Sequence, residues 1–278
     1  MTQGELGYCA AELRRHDRPR FLTALFAPRC RREDLFALYA FNLEIAKTLE
    51  TVSEKMLGRM RLQWWRETIA GIYEGNPRQH EVALALAKAI ANHGLPRENF
   101  EALIEARESD LEEAPPADLA ALAAYAEASA GTLVALAARI LVAGGADAPA
   151  RAVGTTQGLA GLLLALPFRL RHGRIDLPAD RLAEAGLGLV ALRERRAAGA
   201  AAIVRDVAAH ARQTLAEARA RRREMPRAAL PALLVSVPAE RQLGRLQRAG
   251  YDPFDSTLGR PDPLLPLALS WAHWRGRY

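Results

Sequence analysis

The stretch Ala37-Leu-Tyr-Ala-Phe-Asn-Leu-Glu-Ile-Ala-Lys-Thr-Leu-Glu50 decides the fold class. Within Arg32–Leu49, Leu35, Leu38, Tyr39, Asn42, Ile45 and Leu49 recur at three- and four-residue spacings. That period puts them on one stripe of an amphipathic helix. The same period extends outward in both directions, and no segment alternates convincingly with period two. Thr51-Val-Ser-Glu54 has the form of a capping box, opening a helix through Met60, Trp64 and Ile72 that Gly75 and Pro77 close. Gln79–His93 forms the next, stopped by Gly94 and Pro96, and the acidic Arg97–Glu113 another, ending before Pro115-Pro116.

Further along, Asp118 suits the N-cap of an Ala-rich helix reaching about Val142. Pro149 begins a helix through Gln157 to Arg169, broken by His172–Pro178 and followed by a short helical turn near Ala179–Ala185. A long helix then runs from about Val190 to Arg223, with shorter ones from Met225 to Val237, Pro238 to Ala249 and Pro263 to Trp274. Gly250–Asp255 reads as a turn-rich strap across the last helices. The expectation is an all-α chain of about ten helices, a single domain over residues 1–278, in an orthogonal or bundle-like array around a central cavity.

Composition supports this reading. Half of the 278 residues are hydrophobic and a quarter charged. Aromatics are few, and the weight on Ala and Leu favours helix over strand. The formal net charge of +6 suits an acidic partner or an anionic membrane surface and specifies neither. The acidic stretch Arg97–Asp118 and the arginine-rich Arg193–Arg223 read first as solvated helix faces. Cys9 and Cys30 form no CxxC or Cys/His cluster, so a disulfide framework or structural zinc is not expected and a reducing compartment fits. No secretory signal is visible at the N-terminus, and Glu5, Glu12 and Asp17 argue against a transit peptide. The most apolar run, Leu159–Phe168, is short of the ~20 residues a membrane-spanning helix needs and reads as buried helix.

Common site types are missing from the sequence: GxGxxG, Walker loop, HExxH and GxSxG. The six histidines read as surface or capping residues, with no metal ligand set. The runs of arginine belong to no nucleic-acid module, so nucleic acid is not an expected partner. Trp64, Trp65, Trp271 and Trp274 read first as core residues, with a partner-facing role for one of them as the alternative. Gly154, Gly158 and Gly161 repeat at helical spacing and permit close helix packing.

Three segments carry a family resemblance: Ala37–Glu50, then Arg61-Leu-Gln-Trp-Trp-Arg-Glu67 leading into Ile72-Tyr-Glu-Gly75, and Gln157–Pro178. Their order, spacing and helical setting resemble the squalene/phytoene synthase family over nearly the whole chain, with Asp110-Leu111 and Tyr125–Ala130 included. The resemblance implies an isoprenoid-synthase-like helical array. Its enzymes join two prenyl diphosphates head to head, and two DxxxD motifs supply carboxylates to Mg²⁺, which neutralises the departing diphosphate. Spacing of i, i+4 puts both acids of a motif on one helix face.

This chain departs from that pattern where the chemistry sits. Against YAFxRxxDDxxD, Tyr39-Ala-Phe41 matches, Asn42 follows, Leu43 replaces the arginine, Ala46 and Lys47 stand at the two leading aspartates, and only Glu50 keeps an acid. Glu44 and Glu50 lie six apart and share no helix face, so they read as surface or rim acids. The second motif falls at Leu163–Phe168, give or take one residue, including Leu164 and Phe168; no carboxylate lies between Gln157 and Asp176. Gly173-Arg174 and Leu177-Pro178 match the motif's tail.

Phe41–Ala46, Val52–Trp65, Ala218–Pro226 and Pro231–Leu234 look like the branch of this superfamily typified by a mitochondrial complex I assembly factor. That branch is treated as non-catalytic. The resemblance implies a protein without resident cofactor, working by binding a respiratory-complex subunit or assembly protein, with an isoprenoid or other lipid as a further ligand. The Ala/Arg-rich composition suggests a bacterial counterpart in the cytoplasm, peripheral to the inner membrane, with the basic Arg193–Arg223 surface meeting a protein or the membrane. The rival expectation is an active prenyltransferase with an atypical Mg²⁺ site, or a diphosphate site of Arg107, Arg169, Arg171 and Arg174 with Asp110 nearby. A lipid or quinone carrier is the third.

Overall fold

The structure is a computed structural model that describes residues 7–48, 55–112, 114–142, 147–194 and 199–278. Among the described residues every regular element is helical and none is a strand. Helices α1 (Tyr8–His16) and α2 (Arg18–Ala24), which the sequence left unassigned, precede α3 (Arg29–Ala46). Asp17 starts α2 by accepting the Arg20 backbone N–H at 3.3 Å. There follow α4 (Lys55–Tyr73), α5 (Glu81–His93) and α6 (Arg97–Ser109). The capping box at 51–54 lies outside the described residues. Gly94 closes α5 in the left-handed region at φ 58°, as its sequence position predicts.

Helix α7 (Leu119–Ala126) opens on Asp118, whose side chain accepts the Ala121 N–H at 2.8 Å. It continues through one π-turn, Glu127–Gly131, into α8 (Thr132–Leu141). The cause of the π-turn lies across the interface. There Gly154 of α9 (Asp147–Arg171) approaches so closely that a Cβ on it would sit 2.7 Å from the Gly131 Cα. Gly158 meets the Ala130 Cβ in the same way at 3.0 Å, whereas Gly161 faces open space, so two of the three glycines serve packing. Leu119–Leu141 is 23 residues long and apolar enough to cross a membrane by length and composition. Within its most apolar 18-residue window 56 % is buried, and Leu133–Ala138 are wholly enclosed by other helices, as in the core helix of a globular protein. Leu159–Phe168 lies within α9 as a largely buried helical run.

The remaining helices are α10 (Ala179–Glu184), α11 (Leu189–Arg193), α12 (Ala200–Ala220), α13 (Leu230–Leu233), α14 (Ser236–Arg248) and α15 (Leu265–Arg275). The long helix expected from Val190 to Arg223 is thus two helices, α11 and α12. Gly199, at the start of α12, packs against Ala185 and Leu187, and an ordinary side chain there would press within 3.3 Å of both.

Helix α3 is not a one-stripe amphipath. Residues 35–42 are buried on all sides, because α1, α5 and α8 surround the helix. Phe41 meets Trp65 and Phe100 edge-on at centroid distances of 5.3 and 5.6 Å, a geometry that aromatic quadrupoles favour. Helix α9 is the second axis, flanked by α8, α12 and α14. Thr156 ties it to α12 through the Ala211 carbonyl at 3.1 Å. Two apolar cores result. One gathers α1–α6, α8 and the start of α9; the other gathers the second half of α9 with α12 and α14.

Candidate functional site

The first-motif residues lie at the C-terminal half of α3. Tyr39 is fully buried, and burial pushes its hydroxyl well above the usual phenol range. Asn42 is buried too, and its side-chain oxygen has no partner among the described residues. Glu44 is engaged by Arg61 at 2.7 Å. Ala46 offers no donor atom, and the Lys47 ammonium lies 3.3 Å from the Glu12 carboxylate of α1. Glu50 lies outside the described residues.

A polar contact between α2 and the second-motif helix went unread in the sequence. Arg20 donates to Asp17 at 2.5 Å and to the Gln157 side chain of α9 at 2.7 Å, beside Tyr39. Gln157 is therefore anchored by an arginine from α2.

On α9, Leu163 and Leu166 are buried. Leu164 is half-buried, and the Phe168 ring meets His172 at a tilt of 41° with centroids 4.3 Å apart. Arg169, at the edge of this stretch, heads a buried ionic network. Its guanidinium donates to Asp110 at 2.6 Å and to Asp176 at 3.1 Å, and its Nε also pairs with Asp176. Tyr125 donates to Asp110 at 2.8 Å, and Arg107 reaches Asp110 at 3.2 Å and the Tyr125 oxygen at 2.9 Å. Arg174 lies 3.4 Å from Asp176 and donates to the carbonyls of Ser109, Asp110 and Glu112, tying down the end of α6. Arg171 stays outside this network on the surface, its guanidinium 5.8 Å from the Phe168 ring centre.

The electrostatics follow from this geometry. Burial opposes ionisation of Asp110, but Arg107 and Arg169 outweigh it and hold the carboxyl below its usual range. Burial and the neighbouring Asp110 carboxylate raise the Tyr125 hydroxyl to about 12, against the opposing pull of Arg107. Burial likewise opposes the charge on Arg169, and Asp110 with Asp176 reverses that effect. Three guanidinium groups face two carboxylates, so the network is closed by ion pairs with one surplus positive charge.

These residues do not fit Mg²⁺. The ion requires free carboxylate oxygens at ~2.0–2.1 Å. Asp110 and Asp176 already accept from arginines on several sides, and Lys47, paired with Glu12, stands at the first motif. No group of three or more His, Cys, Asp and Glu side chains is placed to hold a metal among the described residues. The expected diphosphate cluster is corrected as well. Arg107, Arg169 and Arg174 do converge, but on aspartates, and Arg171 does not join them. Asp176 and Tyr125 are the members that sequence reading missed.

Residues 13–267 match the family description "Squalene/phytoene synthase". The chain belongs to this family. It is 35 % identical over 274 residues to a Bos taurus protein named NADH dehydrogenase (ubiquinone) complex I, assembly factor 6, covering 98 % of this chain and 82 % of the relative. The squalene synthase of Alicyclobacillus acidocaldarius superposes with TM-score 0.77 at 25 % identity, over 88 % of this chain and 94 % of that one. A dehydrosqualene synthase gives 0.85 at 18 %, over 96 % and 94 %, and so shares the fold. The isoprenoid-synthase helical array expected from the motifs is the observed fold.

Two further expectations are corrected. His93 is no surface residue: its side chain is 5 % exposed and pairs with Asp34 at 2.7 Å. Trp65 is core, but Trp271 and Trp274 are exposed.

Proposed function

We propose that this chain is a non-catalytic member of the squalene/phytoene synthase family that serves complex I assembly by binding, as the bacterial counterpart of the assembly factor. The observation that carries this reading is the loss of acids at the places where family chemistry needs them, with a lysine, Lys47, at one of the two leading aspartate positions of the first motif. Lys47 is spent on Glu12, and Arg169 is spent on Asp110 and Asp176. Restoring one acid would not make a magnesium cage, because neighbouring lone pairs are already occupied by guanidinium donors. The likeness to the assembly factors supports the direction of the reading, and fold alone does not fix function.

The protein acts in the cytoplasm, against the inner membrane where complex I is built, and its partner is a subunit or another assembly protein. Deleting its gene and measuring NADH:ubiquinone oxidoreductase activity in isolated membranes tests this. Activity falls severalfold and returns with a plasmid copy, including one carrying Lys47→Ala. Unchanged activity in the deletion strain would remove the assembly role.

A further inference from the structure

Helix α15 carries a stripe of large apolar side chains that nothing covers. Leu264, Leu267, Trp271 and Trp274 are spaced three or four residues apart and are 55 %, 69 %, 56 % and 71 % exposed. The opposite face, Leu265 and Leu269, is buried in the first core, so the helix is held rigidly with its indoles outward. The two indole rings lie 5.2 Å apart, and the Arg275 guanidinium sits 5.4 Å from the Trp271 ring centre.

Beside this stripe opens a cavity of about 580 Å³ between the end of α12 and the end of α15. Its floor is apolar, with Met225, Leu230 and Leu233, and its rim holds Arg219, Arg222, Arg223, Arg227, Arg275 and Arg277. Only Arg219 of these has a carboxylate partner among the described residues, Glu240 at 2.8 Å. A shallower hollow lined by Trp271, Arg275 and Arg277 joins the cavity to the tryptophans. Five guanidinium groups without carboxylate partners therefore stand next to two exposed indoles.

We infer that this face docks on an anionic phospholipid surface, with the tryptophans at headgroup depth and the arginines on lipid phosphates. The charge calls for an anionic occupant. Guanidinium forks hold phosphate oxygens bidentately, and indoles settle at the boundary between water and acyl chains. Size favours a bilayer over a protein. The stripe is about 16 Å long and 10 Å wide, on the order of 160 Å². A stable protein interface covers about 800 Å² per partner, whereas an interfacial helix needs only a few inserted side chains plus electrostatic attraction. Vesicle binding needs no complex I, so its failure is distinguishable from failure of the assembly role.

The test is co-sedimentation of the full chain with phosphatidylcholine vesicles and with mixed phosphatidylcholine–phosphatidylglycerol vesicles. Binding to the mixed vesicles only is expected, and it disappears in about 1 M salt, where the Debye length shrinks to about 3 Å. Arg222→Gln/Arg223→Gln/Arg277→Gln lowers partitioning about a hundredfold, from about fivefold per arginine. Trp271→Ala/Trp274→Ala lowers it at least about tenfold. All three tested arginines and both tryptophans are exposed, so both variants keep the wild-type melting temperature. Equal binding to both vesicle types, no binding, or full binding by the tryptophan variant would each overturn the inference. Absence of vesicle binding together with loss of complex I activity in the tryptophan variant would assign the face to a protein instead.

Discussion

Arginine does opposite work at the two ends of α9's neighbourhood. Inside, Arg107, Arg169 and Arg174 converge on Asp110 and Asp176 and are buried. Outside, Arg222, Arg223, Arg227, Arg275 and Arg277 converge on an open cavity with no carboxylate of their own among the described residues. Both are clusters in sequence and space. What separates them is what each guanidinium faces: an internal anion closes a site, and an open apolar floor leaves it available. The inner cluster holds the fold together, and the outer one is free to meet a partner.

The sharpest way to break this contrast is Asp110→Asn. It leaves three guanidinium groups against one carboxylate in the interior, a loss of about 3–5 kcal/mol for removing one partner of a buried ion pair. A thermal melt should fall by roughly 10 °C; an unchanged melt would mean that the network is not structural. Gly154→Ala comes next, because the new Cβ meets the π-turn backbone, at about 1–3 kcal/mol of overpacking. Its effect should show in the same melt, and a neutral result would dissolve the explanation given for the π-turn.

The network also sets a pH dependence. The Asp110 carboxyl is depressed in the fold, so its stabilisation is present above the unfolded value near 3.9 and is lost as pH falls through the lower, folded value. Tyr125 is raised to about 12, so its contribution is present below pH ~10 and is lost as pH rises toward 12. Tyr125→Phe should cost about 1 kcal/mol at neutral pH and flatten the alkaline limb of a stability profile. An unaltered limb would reassign it to Tyr73, which is also raised to about 12. Smallest of all, Arg222→Gln/Arg277→Gln should stay within about 0.5 kcal/mol of wild type. A larger loss would show that the outer cluster is structural after all.

Much of the fold was legible because α3 through α6 carry residues at three-to-four spacing, and α4 and α5 end on the glycine and proline signals at Gly75, Pro77, Gly94 and Pro96. The division of Val190–Arg223 into α11 and α12 was not, since Gly199 sits in an Ala/Arg run whose helix propensity hides it and only its packing against Ala185 and Leu187 marks the start of α12. The π-turn was equally hidden, because its cause lies on another helix. At the site, the loss of acids was readable from Ala46, Lys47 and the leucine run. The network was not: Asp110 and Asp176 are 66 positions apart, and nothing local marks them as sharing Arg169. Trp271 and Trp274 misled for the converse reason, since aromatic residues at helical spacing are usually core and exposure is a property of the assembled helices.

With Ala46, Lys47 and the run Leu163–Phe168 standing where the family carries its acids, the family reaction is expected to be lost. Incubating the purified chain with farnesyl diphosphate and Mg²⁺ while assaying released pyrophosphate tests it most directly. The account predicts release at the protein-free background rate, unchanged by added Mg²⁺. Mg²⁺-dependent release well above that background would contradict it.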